Sequence, residues 1–172
     1  FTAFEVQSWR GAPGLKADKG YVELEPDGGF VIIDSQQFSM AFPTIYHEPL
    51  QFDDFYGTIN LVWTEADLTL SSGLVMAQGE EGTARVLFDL NIPLSESAVG
   101  LEMGLLLGLE NTHPIYRTKY LPYTLNGPLL KWLKGSIGEG DIEEGAFLWR
   151  GSLRKGASDL RTVQMFFNIS NT

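Results

Sequence analysis

Few residues of this chain are of types that do chemistry, and none stands in a spacing that would let it. His47 lies in Tyr46-His47-Glu48-Pro49, just ahead of Asp53-Asp54. Imidazole and carboxylates together can hold a metal ion. No second histidine is near, there is no HExxH spacing, and Pro49 forbids the helix that would align such ligands, so an exposed loop is expected. His113, in Asn111-Thr112-His113-Pro114, reads as a turn residue. Ser71-Ser72-Gly73 reads as a turn, and no GxSxG elbow of a serine hydrolase occurs. The carboxylate pairs Asp53-Asp54 and Glu143-Glu144 are chain neighbours. On a strand, neighbours point to opposite faces, so neither pair converges as glycosidase acids do. Glu139, Asp141, Glu143 and Glu144 lack the spacing of a calcium loop and read as a charged hairpin edge. There is neither a dinucleotide-binding glycine motif nor a P-loop. The absence of cysteine removes disulfides, thiolate zinc sites and a cysteine nucleophile. The residues thus predict no catalytic group, no metal site and no cofactor, and the chain is not expected to be an enzyme.

Charge narrows the partners. The net charge is −10, with only twelve Lys and Arg, scattered along the chain. A nucleic-acid binder needs clustered cations to replace phosphate counterions, so nucleic acid is not an expected partner. Apolar residues make up 44% and charged residues 20% of 172, which fits a folded domain with a core and excludes both disorder and a membrane-spanning chain.

The elements that remain to be positioned are strands. Thr58–Trp63 and Asp67–Ser71 alternate apolar and polar residues, Arg85–Leu90 is mixed, and Leu101–Leu109 is nearly all apolar. Alternation marks strands with one wet face, and continuous apolar runs mark strands covered on both. Pro26-Asp27-Gly28-Gly29, Ser71-Ser72-Gly73, Gly79-Glu80-Glu81-Gly82, Gly138-Glu139-Gly140 and Gly156-Ala157-Ser158 supply turns at short intervals. Many strands with short turns predict a mainly β fold built on an antiparallel meander. One short helix is predicted near 126–135 and packed on the sheet. Pro128 suits its first turn, Leu129, Trp132 and Leu133 form an i, i+3, i+4 stripe that anchors it, and Gly135 stops it. So short a helix cannot cover the whole apolar face of a long meander. Either a second sheet closes over that face, or it stays open as an apolar groove.

The stretch Lys119–Leu153 combines that helix with a Gly-punctuated hairpin and an aromatic strand. Tyr120-Leu121-Pro122, Leu129, Trp132-Leu133, Ile137, Gly140, Ile142, Gly145 and Trp149-Arg150-Gly151 follow one another in it. Upstream stand Phe42-Pro43, Glu48-Pro49-Leu50 and Asp54-Phe55-Tyr56-Gly57, and downstream Arg161-Thr162-Val163-Gln164. In this order the residues resemble the YhdP branch of the AsmA-like family of bacterial envelope proteins, over roughly residues 4 to 170. The resemblance carries no catalytic motif.

It implies a strongly curved, taco-like β-groove. Residues 1–172 would form one such module, or a fragment of a longer periplasmic repeat region, with the helix–hairpin unit at 119–153. The chain is accordingly expected to be an internal piece of a larger protein anchored in the inner membrane. The implied function is to conduct phospholipids between inner and outer membrane along an apolar groove. Implied partners are phospholipid acyl chains, adjacent modules of the same parent chain and other envelope proteins. The groove-lining candidates are Ile59, Leu61, Leu68, Leu70, Val86, Phe88, Leu101, Met103, Leu105 and Leu107, with Asp89 and Glu102 facing water. Two other readings stay open: a carbohydrate-binding or adhesion β-sandwich with Trp9, Trp63 or Trp149 as a stacking platform, and a non-catalytic scaffold in outer-membrane assembly with a filled core.

Overall fold

The computed structural model describes residues 2–97, 99–112, 119, 123, 127–128, 130–131, 141–154, 156 and 161–170. Among the described residues twelve strands form one antiparallel sheet. They are β1 (Thr2–Val6), β2 (Gly14–Glu25), β3 (Gly28–Ser35), β4 (Phe38–Ala41), β5 (Leu50–Phe52), β6 (Asp54–Trp63), β7 (Asp67–Ser72), β8 (Val75–Gly79), β9 (Gly82–Pro93), β10 (Glu102–Thr112), β11 (Asp141–Ser152) and β12 (Arg161–Ser170). Their order is β12-β11-β10-β9-β7-β6-β3-β2-β4-β5; β1 adds to β2, and β8 bridges β6 and β9. Most neighbours in space are neighbours in sequence, as the short turns require. Pro26-Asp27 turns β2 into β3, and Gly79–Gly82 turns β8 into β9.

The mainly β, antiparallel architecture matches the expectation from alternation. The short helix is not borne out: among the described residues helix is almost absent, and none forms an element. Its predicted anchors Leu129, Trp132 and Leu133 lie outside the described residues, as does His113. A stripe of two to three turns has little intrinsic stability. Among the described residues the apolar face of the sheet is met by the chain's own loops. Phe42 and Ile45 are 5% and 4% exposed and join Leu90, Ile92, Met103, Ile142, Trp149 and Leu153 in one core cluster, against which Leu130 also packs. The carbonyl of Phe42 accepts from the amides of both Ile45 and Tyr46, winding this segment into a single turn over the sheet. A smaller cluster gathers Ala17, Ile33 and Phe38 where β2, β3 and β4 roll together, with Phe38 stacked 3.7 Å from Phe55.

Gly82, which opens β9, is fixed by its surroundings. Its φ is +119°, and a Cβ there would stand 2.7 Å from the Glu110 carbonyl oxygen, 2.7 Å from Thr112 Oγ1 and 2.8 Å from the Asn111 carbonyl oxygen. Gly82→Ala is expected to cost about 2–3 kcal/mol from the left-handed backbone and the forced separation of β9 from β10. Denaturant unfolding checks this, and an unchanged midpoint would show that the turn relaxes freely.

Candidate functional site: an apolar trough

Cross-strand register stacks apolar side chains in rows over the inner face. One row runs Val163, Trp149, Leu105, Phe88, and the next Met165, Phe147, Leu107, Val86, Val75. A third runs Phe167, Gly145, Leu109, Ala84, Ala77, Phe55, and a fourth joins Met103, Leu90, Leu70 and Leu61. Gly145 leaves room for the Phe167 ring, whose nearest carbon would lie 3.0 Å from an added Cβ. Residues of opposite parity point outwards: Leu87, Asp89, Glu102, Leu106, Arg150 and Phe166 are all exposed.

Between these rows and the Phe42–Tyr46 loop runs a trough enclosing a cavity of about 170 Å³. Its walls are carbon almost throughout; polar groups enter only through residues such as Tyr46, Glu81, Thr83 and Thr112. Of the residues expected to line a groove, Val86, Phe88, Met103, Leu105 and Leu107 stand in its wall. Leu101 is a buried core residue, 8% exposed, while Leu68 and Leu70 pack against the same core from β7. Ile59 belongs to the second cluster, and Leu61, facing Leu70, is half-buried. The register therefore brings half of the set into one wall and leaves the other half beneath or beside it.

Other wall residues, among them Tyr46, Phe52, Val75, Ala77, Phe147 and Trp149, were not anticipated as trough residues. Alternation in Val75-Met76-Ala77 and in Gly145-Ala146-Phe147-Leu148-Trp149 carries a signal for the strand members. Nothing local marks Tyr46.

Burial pushes the Tyr46 phenol up to about 12. A phenol whose folded pKa lies above its unfolded value contributes stability that is complete below about pH 10 and lost as pH rises towards 12. Alkaline unfolding is expected to show a loss of roughly 1–3 kcal/mol across that window, absent in Tyr46→Phe. Spectroscopic titration of phenolate checks it.

At one end of the trough Glu81 pairs with Lys119, their side chains 16% and 31% exposed. His47 stacks on Tyr123, ring centroids 4.3 Å apart, and the Tyr123 hydroxyl donates to the Pro43 carbonyl. Among the described residues no group of three or more His, Cys, Asp or Glu is placed to hold a metal ion, and no helix is long and apolar enough to cross a membrane.

The sequence profile described as "YhdP protein" matches residues 1–169, nearly the whole chain. The chain belongs to the YhdP family. No curated protein and no solved structure matches it. YhdP proteins are a family of the bacterial envelope, and the single curved sheet with an apolar inner face is the form in which this YhdP chain is built.

Proposed function

We propose that this chain is a segment of a periplasmic bridge, part of an inner-membrane-anchored protein, along which phospholipid acyl chains pass between inner and outer membrane. The observation that carries this reading is the trough: rows of aliphatic and aromatic side chains on the inner face of one sheet, around a cavity they do not fill. Each methylene taken from water into such a wall gains about 0.8 kcal/mol. A carbon wall with few polar anchors holds a chain of methylenes without fixing its position, which is what sliding requires. The role is non-catalytic. Adjacent modules of the same chain are natural neighbours, because among the described residues β12 pairs only with β11 and so forms a ten-residue edge.

The alternatives fit less well. Of the three tryptophans that could form a sugar platform, Trp149 is 3% exposed, the Trp63 indole donates to the Pro26 carbonyl, and Trp9, 50% exposed, lies against the Arg10 guanidinium, so the three do not form one surface. A scaffold with a filled core would have no use for the cavity.

The test is photocrosslinking in cells, in the full-length protein, with the reactive residue at Leu105 and, as its outward-facing control, at Glu102. Phospholipid adducts at Leu105 and not at Glu102 are expected. A folded protein with no lipid at either position would overturn the proposal.

A further inference from the structure

The trough wall carries two hydrogen-bond donors that the protein leaves unused. Its carboxylate, Glu81, is paired with Lys119. Tyr46 and Trp149, both part of the main core cluster, have no such partner for their polar atoms. Trp149 stands in the wall at 3% exposure, and its Nε1 is buried without an acceptor. The Arg161 guanidinium beside its ring can itself only donate. Tyr46 belongs to the covering loop, and its hydroxyl has no hydrogen-bond partner among the described residues. Its ring is only half-buried, yet burial raises its pKa to about 12. Together these turn the uncovered part of the ring towards the trough it lines rather than towards bulk water.

Resting on the conduit reading, we infer that this stretch of the trough is a resting point for an acyl ester. The ester carbonyl of a glycerolipid accepts from the Tyr46 hydroxyl and the Trp149 N–H, and its alkyl chain lies along the carbon rows. The match is one of hydrogen-bonding capacity. An indole N–H can only donate, so its partner must bring an acceptor. Water accepts, but it also brings two donors of its own, and a wall of carbon has little to receive them. An ester carbonyl accepts and donates nothing. A phosphate or a free carboxylate accepts too, but no Lys or Arg lines the trough, and a charge among carbon is costly. A buried donor without a partner carries a desolvation penalty that such a carbonyl relieves. The lipid therefore pauses where its ester reaches these two donors and slides over the plain carbon on either side.

The test uses the full-length protein reconstituted with vesicles holding equal amounts of two phosphatidylethanolamines of identical chain length. One carries its chains as esters, the other as ethers, which lack the carbonyl. A photoreactive residue is placed at Leu107 in the trough, and adducts are identified by mass spectrometry. The ester lipid is expected to exceed the ether lipid roughly fivefold. Tyr46→Phe is expected to lower that ratio, and Tyr46→Phe with Trp149→Phe to bring it close to one, thermal melting showing that each variant is folded. Equal yields of ester and ether lipid in the wild-type protein, or a preference that survives in folded Tyr46→Phe, overturn the inference and leave the conduit standing. Adducts of neither lipid overturn both.

Discussion

Leu105→Glu is expected to reduce lipid adducts in the trough about tenfold or more, while Leu106→Glu, one residue along the same strand, leaves them unchanged. Leu105 sits in mid-row between Phe88 and Trp149, with Met103 and Leu107 before and after it on the same face. A carboxylate there has no cation among the wall residues around it, so any chain of methylenes must displace its hydration to pass. A desolvation penalty of even 1.4 kcal/mol is a factor of ten in occupancy. Leu106 is 46% exposed on the outer face, where a charge is solvated and changes stability by no more than about 0.5 kcal/mol. Crosslinking from Leu107 in the full-length protein reads occupancy, and thermal melting shows whether each variant is folded. A folded Leu105→Glu protein with wild-type adduct yield would falsify passage along this wall.

The pairing of Leu105 with Leu106 also shows what was legible in the sequence. Alternation assigns parity along a strand, and parity places Val86, Phe88, Met103, Leu105 and Leu107 on one face without any knowledge of the neighbours. Parity does not say how far along the sheet the trough extends. Ile59 and Leu61 satisfy the same rule, but β6 gives the wall only Phe55, while Ile59 packs against the second cluster and Leu61 faces Leu70. The cover over the trough was illegible for a different reason. Phe42 and Ile45 meet Leu90 and Trp149 across separations of about 50 and 100 residues, and no local pattern records such contacts. The stripe at Leu129, Trp132 and Leu133 lies outside the described residues, and so short a helix depends on its docking rather than on its own pattern.

Trp149 bears on both stability and the trough, and its replacement carries the largest structural effect expected. The ring is 3% exposed in the row with Val163 and Leu105, and the Arg161 guanidinium lies 5.5 Å from its centroid. Arg161 is itself tied down, its Nε donating to the Ser152 carbonyl at 2.7 Å and its Nη2 to the Arg154 carbonyl. Trp149→Ala removes the ring from a wall whose other members belong to a continuous sheet and cannot collapse inward. A loss of about 3–5 kcal/mol is expected, a large part of the 5–15 kcal/mol that holds a typical domain together. The indole N–H adds a second distinction, since Nε1 is buried with no hydrogen-bond partner among the described residues. Leaving such a donor unpaired costs about 1–3 kcal/mol. Trp149→Phe keeps an aromatic ring in the row and removes that donor, so it is expected to retain most of the stability that alanine loses. Denaturant unfolding of the three proteins separates the contributions. A phenylalanine variant as unstable as the alanine one would show that the whole indole, and not merely an aromatic ring, holds this residue in the wall.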